Sequence, residues 1–286
     1  MQNRTKRILV AASVILLAAT IAGPALSQDE AAVPSARQVV DQFLEAVGGE
    51  TAIRAHTVRL MEGTMEMKGQ GMSAEMLVKT MAPNKMRMDM TIPGLGVIQG
   101  GFDGEVGWAM NPMAGPMIQE GKELAQTRRQ ADFYADLHGD HLYKSMTNTG
   151  QADFEGKPCW KLELVTPDDD TITEYFNIET GLIDGTTMTQ ESQMGPITIT
   201  TLVGEYKEFG GVLSPTKMTA KIGPGMEQVI TINAIKYEGV TEEDFVLPTA
   251  IQTLAEGGEA EAEAEAEAMP EEVEAPPAPE NLNREE

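Results

Sequence analysis

The sequence has a single cysteine, three histidines and few aromatic residues, and each scarcity removes a class of function. With Cys159 alone no disulfide can form within the chain, so the domain must be held by an ordinary hydrophobic core. Cys159 stands beside Trp160 in a strand-like run and is expected to be a small buried residue. Basic residues are scarce too: 21 Lys and Arg against 45 Asp and Glu give a net charge of −24. Phosphate neutralisation requires clustered Lys and Arg, so a nucleic-acid partner is excluded. The apolar run Ile8–Ala22 is shorter than the ~20 residues of a membrane-spanning helix, so the chain is not expected to span a membrane. No Gly-x-Ser-x-Gly elbow, phosphate loop or dinucleotide fingerprint occurs. The sequence therefore offers no catalytic constellation and no cofactor site, and a non-enzymatic role is expected.

Both termini differ in composition from the middle. Arg4, Lys6 and Arg7 precede the apolar run, which ends at Gly23-Pro24 and the small-residue site Ala25-Leu26-Ser27. This is the pattern of a signal peptide over residues 1–27, which predicts an exported, periplasmic protein. No cysteine follows the cleavage point to carry a lipid anchor. From Glu256 to Glu286 twelve Glu and one Arg contribute −11, leaving −13 for the rest. Residues 251–286, interrupted by prolines, are expected to be an acidic disordered tail, since they cannot bury enough apolar surface to offset ordering. Residues 28–250 then form one domain.

Within it, Val39, Val40, Phe43, Leu44 and Val47 share one side of a 3.6-residue repeat, with Ser35 as N-cap and Gly48-Gly49 as a stop. A short helical turn follows around Ala52–His56. From Thr57 the period becomes two: Met61, Gly63, Met65 and Met67 share one face, and Met86, Met88, Met90 and Ile92 share another. Further strands are legible at VIQGGFDG, EVGWAMNP, PCWKLELVT, TITEYFNIET, LIDGTTMTQ, PITITTLVGEYKEF, VLSPTKMTAKI and QVITINAIKYEG. Turn signals at Asp103-Gly104, Pro167–Asp170, Thr180-Gly181 and Gly210-Gly211 separate them. A second segment, Gly121–Leu137, is partly helical. Many short antiparallel strands with two helical segments predict an α+β fold: an incomplete, strongly curved antiparallel β-barrel with helices over its concave apolar face.

His138, Asp140 and His141 in DLHGDHLY could ligate a metal, but the spacing matches no zinc pattern, and they are expected to be surface polar residues. Asp168–Asp170 lacks the spaced oxygens of a calcium loop and reads as a hairpin turn. No metal site is assigned. The anomaly is methionine. Nine of nineteen lie between Met61 and Met90, and Met110, Met113 and Met117 follow. A unique core favours stiff, branched side chains, whereas a pocket for variable acyl chains gains from polarizable, many-rotor ones. The rival is a Cu(I)-binding metallochaperone, because thioethers select that ion. It needs three or four sulfurs at one point, and rows along strands favour a lining. The expected wall is Met65, Met67, Met86, Met88, Met90, Ile92, Ile98, Phe102, Trp108 and Met110, around an enclosed hollow. An envelope scaffold using the acidic tail is a third reading.

Several residues follow one another in a familiar order. Pro83-Asn84 leads into a strand, Asp103-Gly104 with Trp108 makes a hairpin, Asn111-Pro112 follows, and Asp244–Pro248 reads DFVLP. This order over Ser35–Pro248 resembles the periplasmic lipoprotein carriers of the LolA and LolB type. The resemblance implies an incomplete β-barrel with a helical lid over a cavity for lipoprotein acyl chains, and envelope proteins as partners. In the soluble carrier an Arg before the Pro-Asn pair ties the lid. Here that position is Ala82.

Overall fold

The computed structural model describes residues 33–192, 195–223 and 225–257. The segment expected to be a signal peptide, and residues 258–286 of the acidic tail, lie outside the described residues. Helix α1 (Ala36–Ala46) begins as its sequence dictates: Ser35 accepts from the Gln38 N–H while the Gln38 side chain accepts from the Ser35 N–H, a closed capping box. Val39, Val40, Phe43 and Leu44 are buried along one stripe. Gly48 and Gly49 end the helix before the short α2 (Glu50–Arg54).

Thirteen strands form one sheet: β1 (Val58–Lys68), β2 (Met72–Met81), β3 (Lys85–Ile92), β4 (Gly96–Phe102), β5 (Gly107–Asn111), β6 (Gly115–Ile118), β7 (Ser145–Phe154), β8 (Lys157–Val165), β9 (Thr171–Asn177), β10 (Ile183–Ser192), β11 (Gly195–Phe209), β12 (Val212–Ile222) and β13 (Met226–Lys236). Their spatial order is β6-β5-β4-β3-β2-β1-β13-β12-β11-β10-β9-β8-β7. Every step but one joins strands adjacent in sequence; the exception is the antiparallel pairing of β1 with β13. The chain thus builds one arm outward to β6, crosses to the far edge through α3 (Gly121–Ala131) and a 3-10 turn (Ala135–Leu137), and returns to the middle. Among the described residues the edges do not pair, so this is an incomplete, curved antiparallel β-barrel of α+β type, as the alternation predicts. The sequence pattern misses β2, β6 and β7, which the structure adds.

The main core lies between α1 and the second arm, where Val39, Val40, Phe43 and Leu44 meet Leu162, Leu164 and Phe176. Phe43 and Phe176 meet edge to face at 5.7 Å. On the other side of the sheet the chain after β13 makes a 3-10 turn (Glu242–Phe245) against β3, with Lys79 paired to Asp244 and Lys85 to Glu242. Order continues beyond the expected boundary at 250. Residues 249–257 are helical (α4) and Ile251 is fully buried, because its apolar side chain turns inward one helical turn after Leu247-Pro248. No helix among the described residues is long and apolar enough to cross a membrane.

The β1–β13 ladder shifts register between Glu62 and Gly63. A Cβ on Gly63 would sit 2.5 Å from the Thr231 carbonyl oxygen, which belongs to the backbone and cannot swing away. Gly63→Ala is expected to destabilise the fold by about 1–3 kcal/mol, the usual effect of overpacking, as a lowered urea midpoint with unchanged m-value.

Candidate functional site: the methionine face

Residues paired directly across an antiparallel ladder share a face. From β9 to β12 the pairs run Ile172–Met188–Ile199–Ile222. Met218 has the same parity as Ile222 and continues Met218–Ile230–Met65–Ala74 into β2. Beyond it Met76–Met90–Ile98 and Thr80–Met86–Phe102 reach β4. One face therefore runs unbroken through the sheet. Helices lie on it in both arms: Ile172 packs against the α1 cluster, and the Arg128 guanidinium of α3 sits 5.8 Å from the centre of the Phe102 ring.

Met61, Met65, Met67, Met72, Met76, Met86, Met88 and Met90 all belong to this concave face. Met81, paired with Val58 and Lys85, points the other way. Met65 is buried, with Ala74 and Ile92, and its Sδ accepts from the Gln228 amide at 2.7 Å. Met61, Met67, Met76, Met86, Met88 and Met90 are half-buried. The opposite faces of β2 and β3 carry Lys79, Arg87 and Asp89, so apolar and charged side chains separate by parity.

Of the ten expected wall residues, Met65, Met67, Met86, Met88, Met90, Ile92, Ile98 and Phe102 share the concave face. Trp108 and Met110 do not. Phe102 pairs with Gly107, which puts Trp108 opposite Gly101 and Met110 opposite Gln99, in line with Arg87 and Asp89 on the convex face. Grouping by apolar character overlooked this step of parity. Gly107 occupies the inward position because Leu124 of α3 comes so close that a Cβ would lie 2.8 Å from its Cδ1.

A cavity of about 810 Å³ opens between α3 and the ends of β9 and β10, lined by Gln126, Arg129, Tyr143, Ile172, Thr187 and Met188 among others, and by none of the ten residues. Its mouth is ionic: Arg129 pairs with Asp168 and reaches Asp170 at 3.6 Å, and Lys144 meets Asp169 at 2.6 Å. The Arg129 pairs fasten α3 to the β8–β9 turn, and Lys144, just before β7, holds the same turn. At the other arm the Phe133 N–H donates to the Pro83 carbonyl at 2.9 Å and Arg59 stacks on the Phe133 ring at 5.4 Å. Ala82 leaves the covering segment held by main chain and by a cation on an aromatic face.

A second correction concerns His138, expected at the surface. It is 3% exposed, with Nδ1 2.9 Å from the Asp136 carbonyl and Nε2 2.8 Å from the Glu174 carboxylate. Neither acceptor can donate to a ring nitrogen, so both nitrogens carry hydrogen and the ring is an imidazolium. Burial alone would lower its pKa. The Glu174 charge and hydrogen bond, with the Asp136 carbonyl, outweigh burial and raise it from 6.5 to about 9. Phe43, Tyr143 and Phe176 surround the pair. His141 is exposed and bonds Asp132 at 2.6 Å. Among the described residues no three His, Cys, Asp or Glu side chains gather as a metal site. Cys159 is buried against Asp184, and burial with that carboxylate pushes its thiol up to about 12. The sequence offered no signal for the Glu174 partnership, since the two residues lie far apart in the chain.

No protein-family model matches the sequence, and no curated protein does. Solved structures share the fold, among them the following two. A LolA superfamily protein from Nitrosomonas europaea superposes with a TM-score of 0.54 at 13% identity, over 75% of this chain and 98% of that one. A DUF1329 family protein from Desulfovibrio piger superposes with a TM-score of 0.50 at 12% identity, over 73% of this chain and 96% of that one. The fold is LolA-like.

A raised imidazolium pKa links stability to pH with a definite sign. The contribution of His138 is complete below pH 6.5 and is lost as pH rises through about 9. Urea unfolding across that range is expected to show a loss on the order of 3 kcal/mol, and Glu174→Gln to flatten the dependence.

Proposed function

We propose that the protein is an exported, non-enzymatic carrier that shelters an acyl chain of a lipid or lipoprotein against its concave methionine face. The observation that carries this reading is the segregation of eight methionines on one face of an open sheet, most of them half-buried, with the charged side chains of β2 and β3 on the other side. A row of thioethers moulds to a flexible chain, because each has several rotors and a polarizable sulfur. Each methylene removed from water contributes about 0.8 kcal/mol, which needs no directional partner. The LolA-like fold supports the reading by analogy only, since a fold does not fix a function. Residues 1–27 are read as the export signal, the periplasm as the place of work, envelope proteins as donor and acceptor, and residues 258–286 as a solvating tail. Protein purified from a periplasmic fraction should carry lipid in native mass spectra. The double variant Met88→Asp, Met90→Asp should bind a fluorescent fatty-acyl probe at least about tenfold more weakly, since a carboxylate at either place must be desolvated by the chain. An empty wild-type protein that ignores the probe would refute the assignment.

A second reading has one observation in its favour. Met76 stands directly opposite Met90, with Met88 and Met61 diagonal to it on the flanking strands and Gly63 leaving room across the ladder. Cross-strand neighbours lie about 4.5–8 Å apart, within reach of a shared soft ion. Titration with Cu(I) under reducing conditions should show one tight equivalent lost in Met76→Leu if the cluster binds metal; weak binding without stoichiometry leaves the lining.

A further inference from the structure

In a chain so rich in acid, nearly every described Lys and Arg has a carboxylate partner. Arg59, Arg128 and Lys207 have none. Arg59 and Arg128 bound a single ladder row of the concave face: Arg59 pairs with Thr80, Thr80 with Met86, and Met86 with Phe102, over which Arg128 is placed. The same row holds unmet hydrogen-bonding capacity. Arg59 Nε and Thr80 Oγ1 are both buried without a partner, and Thr80 is only 3% exposed. The third buried, unpartnered atom is Gln119 Oε1, beside Gly107 at the far end of that row.

Unsatisfied buried donors are uncommon, because each forfeits its hydration without return. Two neighbouring donors, one on a cation without a counter-charge, define what would complete them. A water would satisfy the Thr80 hydroxyl but leave the Arg59 charge uncompensated, whereas an oxyanion accepts from both. Phe133 covers the guanidinium from the side of α3 and confines the position to the sheet surface. Above it the face holds only uncharged side chains: Met61, Val78 and Met88 in the next row, then Met76 and Met90. Along β1 from Arg59 to Met67 this path measures about 27 Å at about 3.4 Å per residue.

We propose that Arg59 and Thr80 form the head-group subsite of the carrier, selecting amphiphiles with a singly or doubly charged oxyanion head, carboxylate or phosphate, whose chain runs up the methionine face. This deepens the carrier reading and rests on it. Arg128 sits at the far end of the row and draws the same charge inward.

The test is calorimetric titration of the protein with dodecanoate, dodecyl phosphate, dodecanol and inorganic phosphate. Wild type should bind the two charged amphiphiles at least about tenfold more tightly than dodecanol, the effect of a charge-assisted pair. Arg59→Met, which keeps an apolar stem, should bring the ratio of charged-ligand to dodecanol affinity down to about one, a ratio that any loosening of the covering segment leaves unaltered because it acts on both ligands alike. Thr80→Val should weaken the charged ligands severalfold and decides the matter if Arg59→Met does not fold. A preference for charged heads that survives both variants, or equal binding of dodecanol and dodecanoate by wild type, overturns the subsite and leaves the carrier standing. Inorganic phosphate binding as tightly as dodecyl phosphate marks a free-anion site and overturns the amphiphile assignment. Failure of every chain-bearing ligand to bind overturns the carrier reading and the subsite together.

Discussion

The pairing of β1 with β13 is the constraint on which the rest of the structure depends. Two hairpin arms grown from opposite ends of the chain meet there, and the ladder sets the parity with which one arm continues the other. Met65 opposite Ile230 is the point of transfer: because those two side chains share a side, the methionine rows of the first arm and the α1 core of the second belong to one surface. A slip of one residue would send the thioethers outward and the lysines inward. The register shift at Gly63 sits inside this seam, where the sheet must bend most closely against Thr231 and Ile232.

Charge is arranged as strictly as apolar surface. The acidic chain places its cations in pairs on the convex side and at the mouth, where Arg129 and Lys144 hold the aspartates of the β8–β9 turn. Inside, it admits one imidazolium, and only with a carboxylate and a carbonyl already in contact. Removing one member of such a buried pair leaves the other uncompensated, which is why the ring and Glu174 act as a unit. Arg59 is the contrast, a cation whose contact is an aromatic ring rather than an acid.

Much of the architecture was legible in the sequence, for physical reasons that can be named. Helix α1 announced itself through Ser35, a stripe of five apolar residues from Val39 to Val47 and the stop at Gly48-Gly49, all local signals. The strands with clean alternation were readable, and so were their turns. β7 was not, because an edge strand reading SMTNTGQADF is mostly polar and has one wet side. β6 is only Gly115–Ile118, too short for a period to register. β2 does alternate, through Met72, Ala74, Met76 and Val78, but its glycine-flanked start resembles a loop. Which residues share a face was readable on strands long enough to fix parity, and failed at Trp108 and Met110, one short turn further on. His138 with Glu174, and Arg59 with Thr80, are long-range relations, and no window along the chain contains them. Helix α4 was hidden by the acidic repeat that follows it.

The crossing through α3 has a further implication for how the architecture can vary. Both free edges, β6 and β7, lie far from the central seam, and the linker between them is the only stretch that must match their separation. A hairpin added to or trimmed from either flank would re-register none of the other ladders. The girth of the trough is thereby a matter of counting hairpins, and descendants of one ancestral scaffold could be tailored to slender or bulky cargo by editing the periphery alone.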